Sequence, residues 1–136
     1  MNNIPQTNIH PQAKIGKNVK IEPFATIYED VEIGDNCWIA SNAVIMNGAR
    51  IGNNCKIFPG AVVSAESQDL KYKGEYAVTE IGENTTIREY VTIHKGTSDK
   101  NTTKVGSNCL LMSYVHVAHD LSLIHISEPT RQAEIS

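Results

Sequence analysis

Aromatic side chains and basic charge are both scarce in this sequence. Only 6% of the 136 residues are aromatic, so a hydrophobic core has to be thin and built from aliphatic and small side chains. The formal net charge is −3 and charged residues make up 20% of the chain, a balance that does not predict a nucleic-acid-binding surface. No run approaches the roughly 18 apolar residues of a membrane helix, so we expect no membrane insertion.

Cysteine is rare, and the short motifs of nucleotide and nucleophile sites are missing. The three cysteines, Cys37, Cys55 and Cys109, show no CxxC spacing and cannot all pair, which predicts a reducing, cytoplasmic environment. The opening stretch MNNIPQTNIHPQAK contains no apolar run, so a signal peptide is not expected. No P-loop, GxGxxG, GxSxG or HExxH pattern occurs in the sequence. The length of 136 residues is sufficient for one domain.

An unbroken period of six residues runs through the first half of the chain. Branched aliphatic residues mark it at Ile9, Ile15, Ile21, Ile27, Ile33, Ile39, Ile45, Ile51, Ile57 and Val63. A small or β-branched residue stands four positions after each isoleucine, at Ala13, Val19, Ala25, Val31, Cys37, Ala43, Ala49, Cys55 and Ala61. A period of six matches neither a helix nor a long strand, but it does match a short strand followed by a turn, repeated many times.

The repeat predicts an all-β protein, a parallel β-helix in which three hexads make one triangular coil. The branched aliphatic residue fills the interior, and the small residue allows the chain to pack closely. All three cysteines stand at the small inward position, so we interpret them as buried packing residues rather than as metal or redox groups. The predicted β-helix covers residues 1–120.

Two interruptions break the period, and both are predicted to fall at one corner of the triangle. The register is lost after Val63 and again after Ile93. If the three faces are labelled A, B and C in order from Ile9, face A carries the hexads that begin at 9, 27, 45, 63, 93 and 117. Inserted loops at about 67–80 and 99–104 then leave the coil between faces A and B, and loops on a rigid scaffold commonly carry function.

Hexad counting also gathers ionisable residues at that corner. The residues that it brings to one cleft are His94, His116, His119, Asp69 and Lys71. An imidazole with a pKa of about 6.5 can accept a proton at neutral pH, so His119 beside Asp120 is a candidate general base. The three histidines also offer the nitrogen ligands of a zinc site, which stays open as an alternative.

Three segments, together with the hexad repeat, resemble a known enzyme family. SQDLKYKGE at 67–75, IREYVTIHKGT at 87–97 and LLMSYVHVAHD at 110–120 resemble bacterial UDP-N-acetylglucosamine 3-O-acyltransferase, over about residues 1–120. The resemblance implies a left-handed coil and the transfer of a 3-hydroxyacyl chain from acyl carrier protein to the 3-hydroxyl of UDP-N-acetylglucosamine, the first step of lipid A biosynthesis. It also implies a homotrimer with active sites between neighbouring solenoids, and a reaction that needs no metal or other cofactor.

The same resemblance implies roles for individual residues. His119 would be the general base that removes the proton of the sugar hydroxyl, and Asp120 would orient it. The positions that match substrate-contacting or cleft-lining residues are Gln68, Asp69, Lys71, His94 and His116. The family's later coils, which supply oxyanion-stabilising backbone, and its helical C-terminal domain have no counterpart, so we expect a truncated and impaired fragment.

Residues 121–136 depart from the hexad pattern. Their sequence, LSLIHISEPTRQAEIS, resembles the conceptual translation of a transposase-type sequencing adapter, so we expect a non-native tail. Two alternatives to an acyltransferase stay open. One is a non-catalytic hexapeptide solenoid that acts as a structural or interaction module. The other is a zinc-dependent site of the carbonic-anhydrase type that uses the three histidines.

Overall fold

The computed structural model describes residues 7–66, 77–96 and 102–118, and the backbone of Ser122–Leu123. Within these ranges the regular elements are short β-strands, and none of the described segments is a helix that could cross a membrane. In chain order the strands are β1 (Asn8–Ile9), β2 (Lys14–Ile15), β3 (Lys20–Ile21), β4 (Thr26–Ile27), β5 (Glu32–Ile33), β6 (Trp38–Ile39), β7 (Val44–Ile45), β8 (Ala49–Ile51), β9 (Lys56–Ile57), β10 (Val62–Ala65), β11 (Val78–Ile81), β12 (Thr86–Ile87), β13 (Thr92–His94), β14 (Thr102–Val105), β15 (Leu110–Leu111), β16 (His116–Val117) and β17 (Ser122–Leu123).

The strands form three parallel sheets, which are the three faces of a triangular coil. Face A holds β1, β4, β7, β10, β13 and β16; face B holds β2, β5, β8, β11, β14 and β17; face C holds β3, β6, β9, β12 and β15. Each strand pairs in parallel with the strand one coil further along, so that Ile27 lies between Ile9 and Ile45 on face A. The predicted left-handed parallel β-helix is confirmed, as are the predicted members of face A.

One branched aliphatic residue of each hexad fills the interior. On face C, Ile39, Ile57 and Ile87 are completely shielded from solvent. The residue before the aliphatic one points outward because successive side chains of a strand alternate between its two sides, and Lys56 is accordingly exposed beside buried Ile57. Burying each such aliphatic side chain contributes about 1.5–3 kcal/mol, and this hydrophobic stack stabilises the coil.

A second inward column runs along each corner, four positions after the aliphatic residue. Between faces B and C it consists of Val19, Cys37, Cys55, Thr85 and Cys109. The Cys55 thiol donates to the Gly82 carbonyl at 3.1 Å, and the Thr85 hydroxyl donates to the Gly106 carbonyl at 2.8 Å, each in the next coil. The three cysteines are buried and form no disulfide, which confirms their interpretation as packing residues.

Asparagine and glycine shape the same corner for different reasons. A left-handed backbone, with φ between 57° and 61°, occurs at Asn18, Asn36, Asn54, Asn84 and Asn108. Apart from glycine, asparagine is the residue that adopts this conformation most readily. Glycine instead permits close approach of two coils, because a Cβ on Gly82 would lie 2.5 Å from the Ser107 backbone nitrogen.

Both inserted segments end earlier than predicted. Residues 78–80 and 102–104 were expected in loops, but β11 and β14 pair along their whole length, from Val78 opposite Thr102 to Ile81 opposite Val105. Valine and threonine favour extended backbone, and burial of Thr79 and Thr103 adds to that preference. Parallel pairing also continues past residue 120, because β17 pairs with β14.

Candidate functional site

Both inserted segments leave the coil at the corner between faces A and B. The chain passes from β10 to β11 and from β13 to β14 across this corner, in neighbouring coils. We call this part of the molecule the loop corner. It consists of the ends of β10 and β13, with the residues that follow them up to Glu66 and Gly96, and of the starts of β11 and β14. The prediction that both interruptions fall at one corner is confirmed.

His94 is held at the loop corner by a backbone carbonyl. It is the last residue of β13 and only 6% exposed, and its Nδ1 atom lies 2.6 Å from the carbonyl oxygen of Glu66. Because a carbonyl oxygen can only accept a hydrogen bond, Nδ1 carries a proton in this contact. In the neutral imidazole the lone pair is therefore on Nε2.

His116 lies beside His94, in the next coil of face A. The two strands pair with Thr92 opposite His116, and the ring centroids of the two histidines are 4.7 Å apart with an interplanar angle of 67°. The structure thus brings these two residues together, as the hexad count predicts. Two imidazole rings at one edge can accept or donate hydrogen bonds to a polar group, and the part that they play in a reaction stays a prediction.

A buried hydroxyl network ties the loop corner together. The Ser64 hydroxyl donates to the Asn47 carbonyl at 2.8 Å and accepts from the Thr79 hydroxyl at 3.1 Å, and both side chains are fully buried. The Lys95 ammonium donates to the same Asn47 carbonyl at 3.2 Å. The hexad pattern does not predict this network, although the sequence carries two signals of it: a serine directly after Val63, where the period is lost, and a threonine at an inward position usually held by alanine or valine.

The remaining predicted site residues lie outside the described residues. They are Gln68, Asp69, Lys71, His119 and Asp120. Along residues 7–66, 77–96 and 102–118, no three side chains of the metal-binding types are grouped so that they could hold an ion. The zinc alternative needs His119 as its third ligand, so it stays a prediction.

The neighbouring buried thiols of Cys37 and Cys55 differ in pKa, because the hydrogen bond with Cys55 outweighs burial and lowers the pKa of Cys37 to about 7. A hydrogen bond with the neighbouring Cys37 thiol, together with burial, raises the pKa of the Cys55 thiol well above its usual range. A protonated thiol is neither a nucleophile nor a metal ligand. The thiol instead donates to the next coil, where it has a structural role.

Comparison with known proteins relates this chain to acyltransferases. Residues 12–45 and 30–65 match the family of bacterial transferase hexapeptides (six repeats). Two relatives are each named acyl-[acyl-carrier-protein]–UDP-N-acetylglucosamine O-acyltransferase. The one from Sulfurihydrogenibium sp. is 56% identical over 117 residues, which cover 85% of this chain and 43% of that protein. The one from Chlamydia caviae is 43% identical over 121 residues, which cover 88% of this chain and 43% of that protein.

Solved structures show the same likeness. The crystal structure of a UDP-N-acetylglucosamine acyltransferase from Bacteroides fragilis is 57% identical, with a TM-score of 0.85. The match covers 88% of this chain and 47% of that one. The chain therefore spans less than half the length of the relatives that it matches.

Proposed function

We propose that this chain, a homologue of the acyl-[acyl-carrier-protein]–UDP-N-acetylglucosamine O-acyltransferases over their N-terminal part, comes from an enzyme with that activity. The observation that carries the proposal is that two of the three segments that resemble the family, 87–97 and 110–120, lie side by side in the fold. His94 comes from one segment and His116 from another, and their rings are 4.7 Å apart at the corner from which both inserted segments leave.

The proposed reaction is a single acyl transfer, and His119 is its base. The imidazole takes the proton of the sugar 3-hydroxyl, and the oxygen attacks the carbonyl carbon of the acyl thioester. A carbon–oxygen bond forms, the carbon–sulfur bond breaks, and the carrier thiolate leaves and takes up a proton. Asp120 orients the imidazole and stabilises its protonated form, as an acidic partner of a catalytic histidine commonly does.

The other predicted residues act in binding. In this proposal His94 and His116 bind polar groups of the nucleotide sugar, because each presents an imidazole at the loop corner. Gln68, Asp69 and Lys71 belong to the first inserted segment and complete the cleft. The assembly is a homotrimer with its sites between neighbouring solenoids, and the enzyme is cytoplasmic and works without metal or other cofactor.

The segment 121–136 forms a separate part of the proposal. Its likeness to a translated sequencing adapter supports a non-native tail. The test is direct sequencing of the genomic DNA beyond codon 120. Genomic DNA that encodes the same sixteen residues as the printed sequence would refute this part.

Acyl transfer can be measured directly on two proteins, the present chain and the product of the gene amplified again from genomic DNA. Mass spectrometry would follow 3-hydroxyacyl transfer from acyl carrier protein to UDP-N-acetylglucosamine. We expect transfer by the genomic product and a loss of about 10²–10⁴-fold in His119→Ala. His10→Ala is the matched control, because His10 directly follows β1, near Glu29 and several coils away from the loop corner, and the rate of this variant is expected to be unchanged.

Each alternative predicts a different result. A non-catalytic solenoid would give no transfer in the genomic product, and that outcome would refute the proposal. A zinc enzyme would contain stoichiometric zinc and lose its activity to a chelator, whereas the proposed acyltransferase would keep its rate. A His119→Ala variant that retains the full rate would refute the assignment of the base.

A further inference from the structure

Ser64 turns the backbone at an unusual place in its hexad. Its φ is +70°, in the left-handed region that a serine seldom adopts. Every other residue with a positive φ among those described stands three positions after the aliphatic residue of its hexad, as Asn54 does after Ile51. Ser64 stands one position after Val63, so the chain turns two residues early and leaves the repeat.

The early turn produces a bulge in the pairing of β10 with β13. Val63 lies opposite Ile93, but the next pair is Ala65 opposite His94, so Ser64 is the extra residue. A bulge of this kind redirects the strand that contains it. Here the redirected strand places the Glu66 carbonyl 2.6 Å from the Nδ1 atom of His94.

Contacts on both sides hold the bulge in place. The Ser64 hydroxyl bonds to the Asn47 carbonyl in the coil below and accepts from Thr79 on the strand that returns after the first inserted segment. The Lys95 backbone nitrogen donates to the Ala65 carbonyl at 2.8 Å, which closes the bulge from the side of β13. The left-handed turn is therefore stabilised by hydrogen bonds to the turn at Asn47, to β11 at Thr79 and to Lys95, which follows β13.

We propose that Ser64 is a positioning residue for His94: its left-handed turn sets the Glu66 carbonyl against Nδ1 and so fixes the imidazole tautomer with its lone pair on Nε2. A histidine whose Nδ1–H donates to a carbonyl is held both in orientation and in tautomer. The use of that ring in acyl transfer rests on the proposed function, whereas the tautomer itself is a property of the folded chain.

The tautomer can be measured by nuclear magnetic resonance without any activity. Long-range proton–nitrogen spectra of the isotopically labelled chain, at a pH where the imidazole is neutral, report which ring nitrogen of His94 carries the proton. We expect a single Nδ1–H form in the wild type and in Ser64→Gly, because glycine adopts a left-handed backbone without strain. We expect a mixture of both tautomers in Ser64→Val, because a β-branched residue resists this conformation.

Two further variants keep the test decisive. Ser113→Val is the matched control, since its hydroxyl bonds to Glu89 away from the loop corner, and it should keep the wild-type tautomer. Ser64→Ala removes the hydroxyl but keeps a Cβ, so it should show more tautomer mixing than Ser64→Gly even if the valine variant does not fold. A wild type protonated on Nε2, or equal tautomer populations in the alanine and glycine variants, would overturn the proposal.

An activity measurement separates this proposal from the proposed function. In the genomic product, Ser64→Val should lower kcat, and Ser64→Gly should retain more of it. If the genomic product transfers no acyl chain, the proposed function fails, and the tautomer measurement still decides the role of Ser64.

Discussion

Replacing Thr85 by valine removes one hydroxyl from the interior of the coil while it keeps the branched shape of the side chain. The Thr85 hydroxyl is completely buried, donates to the Gly106 carbonyl at 2.8 Å and accepts from the Cys109 backbone N–H at 3.3 Å. Valine can make neither bond. Both backbone groups then lose a hydrogen-bonding partner at a corner from which water is excluded.

The size of the loss follows from two opposing effects. Leaving a buried polar group without its partner costs about 1–3 kcal/mol. The methyl group that replaces the hydroxyl buries additional apolar surface and returns about 0.8 kcal/mol. Because two backbone groups lose their partner, the cost is about 2–6 kcal/mol, and we therefore expect Thr85→Val to lower the free energy of unfolding by about 1–5 kcal/mol.

Two comparison variants make this prediction specific. Thr86→Val makes the same chemical change one residue later, at a half-buried position on the outer side of β12, and its effect should stay within about 0.5 kcal/mol. Thr85→Cys supplies a weaker donor of the kind that Cys55 already provides to Gly82. Its loss should fall between those of the two valine variants.

Urea unfolding followed by Trp38 fluorescence would measure these differences. Trp38 is the single tryptophan, and its ring contacts Phe58 edge-on with centroids 4.9 Å apart, so its emission reports the packing of face C. Stacked coils can unfold in more than one step, so the slope of the transition should be compared between variants as well as its midpoint. Equal losses in the two valine variants, or a cysteine variant as unstable as Thr85→Val, would refute the reasoning.

The remaining predictions concern close packing and the buried thiols. Gly82→Ala should lower the free energy of unfolding by about 1–3 kcal/mol, because the new Cβ would lie 2.5 Å from the Ser107 nitrogen. Gly52→Ala should lower it less, because the nearest atoms to its new Cβ are 3.0–3.2 Å away. Thermal melts would measure both variants, and equal shifts would contradict this reasoning. The thiols of the folded chain should resist a disulfide reagent that modifies all of them in urea, and fast reaction in the folded state would count against their burial. The raised pKa of Cys55 implies that the unfolded thiol ionises first, so this group should lower stability above a pH of about 8.5 by up to about 1.4 kcal/mol per pH unit. The lowered pKa of Cys37, about 7, has the opposite sign, so stability should rise between a pH of about 7 and about 8.5 before it falls. Cys55→Ala should show a shallower fall in pH-dependent urea titrations, and an unchanged slope would exclude this cause.

Much of the fold can be read from the sequence because the repeat is local. Each hexad contains its own aliphatic residue, its own small residue and its own turn, so counting by six assigns Ile93 to face A and Val105 to face B across two interruptions. The same counting predicts that His94 and His116 are neighbours. In a solenoid the six-residue period determines which side chains point inward. The assignment of hexads to faces stays the same across an inserted segment when both of its ends lie at the same corner.

The tertiary structure alone decided how the loop corner is built. Ser64 adopts a left-handed turn where the period is lost. The Glu66 carbonyl then contacts the His94 ring in the next coil, and the Thr79 hydroxyl bonds to Ser64 across the two ends of the first inserted segment. No periodic rule predicts them, because they arise where the period fails and the backbone has to satisfy its hydrogen bonds in another way. The sequence by itself thus determined the coil, its three faces and the pair of histidines on one of them. The orientation and tautomer of His94 depend on a bulge that forms only when β10 and β13 stack.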